Sequence, residues 1–190
     1  ENRAAHPDWF NGAAPSFGDT AARLLVVGLA PGRGGANRTG RPFTGDFAGV
    51  LLYETLIKFG FASGTYQAKP DDGVELHDCM ITNAVRCAPP GNKPTNLEEI
   101  ACRPFLTARI AALPRLKVLV TLGDVSRRNV LKALGQKASA AAGGHGSEAE
   151  VAGYRLINSY HCSRLNTNTG RLTTPMFEAI FERARAVLDN

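Results

Sequence analysis

The sequence predicts an α/β fold, a three-layer αβα sandwich with a central, mainly parallel four-stranded sheet. Short apolar runs alternate along the chain with segments of helical periodicity, as they do in doubly wound domains. The runs are rich in Val, Ile and Leu, which is typical of parallel strands buried on both faces. The predicted strands are Leu24–Leu29, Cys79–Val85, Lys117–Leu122 and Tyr154–Tyr160.

Four helices are predicted between and after these strands. Asn96 is the expected N-cap of the second helix, and Asp124 is the expected acidic cap of the third. The last helix begins at Thr173 or Thr174, because Pro175 suits a first helical turn. The first three helices are predicted over Phe47–Phe59, Asn96–Leu113 and Asp124–Leu134.

Length and composition predict one domain, residues 1–190, with a substantial core. Residues Gln136–Ser147 are rich in small residues without periodicity, so we expect a surface loop there and no second domain. No apolar run is long enough for a membrane span, and the first ten residues are too polar for a signal peptide. We therefore expect a cytoplasmic protein without a membrane partner.

The net charge is +5, and arginines cluster in the loops that follow the predicted strands. A basic loop face suits a polyanion, although the charge alone is more typical of an ordinary basic surface. The glycine-rich segment Gly28–Asp46 follows the first strand and allows a ligand to approach the backbone closely. It fits neither GxxxxGK[ST] nor GxGxxG, which disfavours a nucleotide-dependent transferase with a Rossmann-like site.

Four segments with polar or glycine-rich character follow the four predicted strands. The carboxyl ends of parallel strands meet at one edge of a sheet, where ligands bind in such folds. We therefore expect a single composite site at that edge. The segments are Ala30–Asp46, Asn83, Gly123–Ser126 and His161–Asn168.

Two of these segments resemble the signature motifs of the uracil-DNA glycosylase superfamily, most closely its fifth, B-type family. The first motif is GLAP followed by NRTGRPFTGD, and the second is His161-Cys162-Ser163 followed by Asn166-Thr167. The second motif has Cys162 where the family pattern has proline. The resemblance spans the chain from about residue 15 to residue 188.

The resemblance implies a uracil-DNA glycosylase-like fold and a monofunctional DNA repair enzyme that flips uracil out of DNA and hydrolyses its N-glycosidic bond. The small Ala30 and the many glycines of this loop, Gly32 among them, leave room for another deaminated base, such as hypoxanthine. The alternative function is a non-catalytic module that binds uracil-containing or abasic DNA. We expect a monomer and no cofactor in the chemistry.

The resemblance also implies roles in the base pocket. Phe43 is expected to stack on the flipped base, and Asn83 to hydrogen-bond its amide edge. His161 is expected to donate to uracil O2 as negative charge develops there. Ala30 stands where related families orient the water, so we expect Asn37 to hold it, with Asp46 as the second candidate or a helix N-cap.

Leu165 is the expected apolar wedge that fills the gap left by the extruded nucleotide. Cys87 and Cys102 match two ligands of a [4Fe–4S] cluster in fourth- and fifth-family relatives, and they would bind it only if two further cysteines lie upstream. Otherwise they are buried thiols. The expected contacts to the DNA backbone are Arg38, Arg41, Ser126, Ser163, Arg164 and Asn166.

Overall fold

A computed structural model describes residues 2–190 and contains eight strands in this part of the chain. Six of them form one sheet, and two short ones form a separate hairpin. The strands are β1 (Phe17–Gly18), β2 (Leu24–Gly28), β3 (Ala62–Ser63), β4 (Glu75–Leu76), β5 (Cys79–Asn83), β6 (Val118–Leu122), β7 (Glu148–Val151) and β8 (Tyr154–Ser159).

The order of the large sheet is β1-β5-β2-β6-β8-β7, and its four central strands run parallel. Leu24 lies opposite Cys79 on one side and Val118 on the other, so the strands start level with one another. The predicted fold class is confirmed, but the prediction of four strands is corrected to six. The two additional strands are short antiparallel edges, β1 and β7, which have no continuous apolar run.

Helices cover both faces of the sheet. Alternate side chains of β2 point to opposite layers: Val26 packs into one hydrophobic cluster and Leu25 into the other. The helices are α1 (Asn2–Ala5), α2 (Ala36–Thr39), α3 (Phe47–Lys58), α4 (Asn96–Ala111), α5 (Asp124–Ala133), α6 (Arg164–Asn168) and α7 (Thr174–Asp189). The first cluster includes residues of α3 and α7, and the second includes residues of α4 and α5.

The four long helices were predicted, but two of their caps differ from the prediction. Thr95 caps α4 in place of Asn96, and it forms a reciprocal capping box with Glu98. Asp124 does not cap α5, since its carboxylate pairs with Arg127 at 2.7 Å. Among residues 2–190, no helix combines the length and apolar character needed to cross a bilayer.

Candidate active site

The carboxyl ends of β2, β5 and β8 open onto one cavity of about 720 Å³. Three of the four segments expected at this edge of the sheet meet there, whereas Gly123–Ser126 does not line the cavity. Ten of the predicted site residues line it: Ala30, Gly32, Phe43, Asp46, Asn83, His161, Ser163, Arg164, Leu165 and Asn166.

Phe43 forms one wall of the cavity and is only 6% exposed. Its backbone is left-handed, with φ of 54°, and its carbonyl accepts a hydrogen bond of 2.9 Å from the Tyr66 hydroxyl. The ring lies against Gly28, where a Cβ atom would come within 2.5 Å of it. Glycine at the end of β2 is therefore required for this ring position.

Asn83 is the last residue of β5, and its amide faces the same glycine. Its Oδ1 is buried and has no hydrogen-bond partner within residues 2–190. A buried acceptor without a donor costs about 1–3 kcal/mol. Because Asn83 lines the cavity, a ligand with an N–H group would satisfy this oxygen.

His161 follows β8 and lies beside the Phe43 ring, with 6.0 Å between ring centroids. Burial lowers the pKa of His161 to about 4. The imidazole is therefore neutral at pH 7 and carries one N–H that can be donated. Asn166 fixes this position, because its Nδ2 donates a 2.8 Å hydrogen bond to the His161 carbonyl.

Cys162 stands where the family pattern has proline, and it is fully buried. Its thiol donates to the carbonyl of Ala48 in the first turn of α3, with 3.5 Å between sulfur and oxygen. Ser163 then caps α6 by accepting from the Asn166 amide. Packing and capping hold this turn without the proline ring.

Asp46 caps α3 through one carboxylate oxygen, which accepts from the Gly49 amide at 3.3 Å. The other oxygen lies against Gly32 and Gly35, where any Cβ would crowd it. Burial raises the pKa of Asp46, and hydrogen bonds from the Gly49 and Ala48 amides partly offset this rise. The free oxygen can hold a water in the cavity.

Asn37 is not among the cavity residues, in contrast to its predicted water-holding role. It is 5% exposed, and its Nδ2 donates to Oδ1 of Asn11 at 3.2 Å. Arg38 also lies outside the lining, and its Nε donates to the Gly34 carbonyl at 2.9 Å while the side chain stays exposed. Neither residue lines the cavity, and the predicted contact of Arg38 with the DNA backbone stays a prediction.

Two of the predicted DNA contacts are buried, and both predictions are corrected. Arg41 pairs with both carboxylate oxygens of Asp72 at 2.8 Å and lies over the Tyr53 ring. This guanidinium holds the pKa of Asp72 well below its usual range. Ser126 is fully buried, and its hydroxyl donates to the Leu122 carbonyl at 3.0 Å. Both residues stabilise the fold and are inaccessible to DNA.

Among the cavity residues that were not predicted as site residues, three carry a charge or an exposed ring. Arg33 and Lys93 add positive charge to the lining, and Phe47 adds an exposed ring. The Arg164 guanidinium lies 5.1 Å from the centroid of that ring. Arg33 could have been predicted from the sequence, because it lies within the glycine-rich segment. Lys93 could not, because it lies ten residues after the end of β5 and nothing in the sequence connects it to the cavity.

The described residues do not form a complete iron–sulfur site. Cys87 is exposed and Cys102 half-buried, while Cys79 and Cys162 are buried elsewhere. Across residues 2–190, no three His, Cys, Asp or Glu side chains are grouped to hold a metal ion. A [4Fe–4S] cluster takes four thiolates, so Cys87 and Cys102 could supply only two of them.

A family model described as "Uracil DNA glycosylase superfamily" matches residues 15–185. The chain belongs to this superfamily. It is 45% identical to the type-5 uracil-DNA glycosylase of Thermus thermophilus over 90% of this chain and 78% of that protein. It is 40% identical to the Mycobacterium bovis type-5 uracil-DNA glycosylase over 96% of this chain and 69% of that protein.

Similarity to type-4 uracil-DNA glycosylases is lower and covers less of the chain. The Pyrobaculum aerophilum type-4 uracil-DNA glycosylase is 35% identical over 66% of this chain and 57% of that protein. Within the superfamily, the chain is therefore most like the type-5 branch, as its two motifs indicate.

Proposed function

We propose that this chain is a monofunctional DNA repair glycosylase that excises uracil from DNA through the cavity between its two motif loops. The observation that carries this proposal is the buried, unpaired Oδ1 of Asn83, a residue that lines the cavity together with His161, whose imidazole is neutral. Residues 1–190 act as one catalytic domain and as a monomer, and the bond cleavage uses no cofactor.

Asn83 selects the base through its acceptor oxygen. Uracil presents an N3–H donor to Oδ1, whereas cytosine presents an unprotonated N3 that would leave Oδ1 unpaired. Hypoxanthine also presents an N–H beside a carbonyl, and the small Ala30 leaves space for its second ring. Phe43 stacks on the flipped base and holds it edge-on to Asn83.

His161 stabilises the leaving group. As the N-glycosidic bond breaks, its electron pair passes to the base and the sugar becomes an oxocarbenium-like cation. Negative charge then accumulates on uracil O2, which accepts a hydrogen bond from the neutral His161. Such a preorganised donor acts mainly on charge that develops in the transition state.

Asp46, the second candidate from the sequence, positions the attacking water in place of Asn37. Asp46 lines the cavity, whereas Asn37 lies outside it and is hydrogen-bonded to Asn11. The water attacks C1′ of the sugar cation and transfers a proton to the Asp46 carboxylate. Burial raises the pKa of Asp46, which makes the carboxylate a better proton acceptor.

The rim of the cavity combines positively charged side chains with an exposed apolar side chain, and both suit a surface that binds DNA. Arg33, Lys93 and Arg164 would neutralise phosphates, which makes binding salt-dependent. Leu165 is 72% exposed at the start of α6 and would enter the gap left by the extruded nucleotide.

A gel assay tests the function directly. A labelled duplex with one uracil is incubated with a tenfold smaller amount of protein, and alkali-labile breaks are counted against time. We expect breaks in excess of the protein and release of free uracil. Binding to the duplex without breaks would favour the alternative, a non-catalytic uracil-DNA or abasic-DNA binding module.

A [4Fe–4S] cluster is proposed only for a form of the protein with two further cysteines. Cys87 and Cys102 would then supply two thiolates, and the cluster would tie α4 to the segment that holds the other two. Iron analysis of such a form, with Cys87→Ala as the comparison, would test this structural role.

A further inference from the structure

We infer that His6 and Trp9 form a second DNA contact, a stacking platform for an unpaired base beside the extruded nucleotide. Their rings are stacked with centroids 3.8 Å apart and planes within 6° of parallel. Both side chains are half-buried and belong to neither hydrophobic cluster of the core. This inference rests on the proposed function, since it extends the DNA surface of the same site.

The platform is fixed to the first motif loop. The Phe10 amide donates to the Arg38 carbonyl at 3.0 Å, and the Asn11 amide donates to the Asn37 carbonyl at 2.9 Å. The Asn37 side chain adds its hydrogen bond to Asn11 Oδ1. Asn37 therefore acts as a positioning residue that holds the amino-terminal segment against the cavity wall.

Asn11 sets the geometry of the turn that carries the two rings. Its Nδ2 donates to the carbonyls of His6 and Trp9, at 2.6 and 3.2 Å, and its own backbone is left-handed with φ of 49°. These bonds close the turn from residue 6 to residue 11. The rings are thus preorganised, and little conformational entropy remains to be lost on binding.

Arg33 connects the platform to the catalytic cavity. Its guanidinium lies 3.4 Å from Nε2 of His6, and the same residue lines the cavity. A flat aromatic face next to a cation matches a nucleobase next to its phosphate, which is the arrangement used by proteins that bind single strands. Phe10, at 48% exposed, extends the apolar surface of this segment.

The single tryptophan of the chain makes the inference directly measurable. We would titrate the wild-type protein with single-stranded and duplex oligonucleotides that carry one tetrahydrofuran abasic analogue, which cannot be excised. Base stacking on Trp9 should quench its emission, more strongly with the single strand than with the duplex. This readout uses the unmodified protein and is independent of how any variant folds.

Fluorescence anisotropy on Trp9→Ala should then show at least about fivefold weaker binding of the single strand, the lower range for one base–aromatic stack. Trp9→Phe should restore most of the affinity, because it keeps a ring. Phe105→Ala removes an exposed ring from α4, outside the catalytic cavity, and should bind as wild type does.

Unchanged tryptophan emission at saturating DNA, or equal affinities for wild type and a folded Trp9→Ala, would overturn the platform. Uracil excision by the wild type is measured in parallel. Excision without quenching rejects the platform alone, whereas a wild type that neither excises uracil nor binds DNA rejects the platform together with the proposed function.

Discussion

The rings of Phe43 and His161 lie with centroids 6.0 Å apart and an angle of 28° between their planes, although they come from opposite ends of the chain. The contact joins the loop after β2 to the loop after β8 and places the proposed stacking ring beside the proposed hydrogen-bond donor. Asn83 lines the same cavity from the end of β5. The residues proposed to recognise the base and to stabilise its charge therefore line one cavity.

His161→Ala should slow uracil excision by about 100-fold or more, the range for losing one oxyanion donor, with little change in DNA affinity. The reason is that the imidazole acts mainly on transition-state charge. Single-turnover kinetics and anisotropy on the same duplex separate the two effects. An unchanged rate constant would remove His161 from the mechanism.

Asp46→Asn should slow excision by about 100-fold or more while leaving the melting temperature close to that of wild type. Asparagine caps a helix as well as aspartate does, so this change removes the proton acceptor and keeps the cap of α3. Asn37→Ala is the matched comparison, because Asn37 contacts Asn11 outside the cavity. A much lower excision rate for Asn37→Ala, together with an unchanged rate for Asp46→Asn, would show that Asn37 positions the attacking water.

Gly28→Ala should abolish base recognition without unfolding the sheet. The new Cβ would come within 2.5 Å of the Phe43 ring and would also crowd Asn83 Oδ1. Gly34→Ala is a suitable control, since its Cβ would have no atom within 4 Å. Excision rates and thermal melts on both variants check this, and a fully active Gly28→Ala would contradict the described pocket.

The free energy of unfolding should fall as the pH drops from about 6.5 to about 4. Burial lowers the pKa of His161 to about 4, so across this window the unfolded chain binds a proton that the folded chain does not. Melting curves of wild type and His161→Asn, compared at pH 7 and pH 5, isolate this contribution. The same pH slope in both proteins would show that His161 titrates normally.

The central sheet was predictable because four apolar runs must be buried on both faces, whereas β1 and β7 were not, because neither has such a run. The structural contacts of Arg41 and Asn37 could not be predicted, for one physical reason. Both residues lie in a glycine-rich basic loop, but their partners, Asp72 and Asn11, are 31 and 26 residues away in the sequence. Sequence spacing gives no sign of these contacts, whereas polar side chains in such a loop favour the prediction of ligand contacts.

In the proposed mechanism, Asn83 Oδ1 accepts a hydrogen bond from the N3–H of uracil in this cavity. The most direct measurement compares single-turnover excision by the wild type from two duplexes, one with uracil and one with N3-methyluracil at the same position. We predict excision of uracil and at least a 100-fold slower reaction with the methylated base, because its N3 has no proton to donate and its methyl group meets the buried oxygen. Equal rates on the two duplexes would show that Asn83 Oδ1 does not recognise the N3–H of uracil.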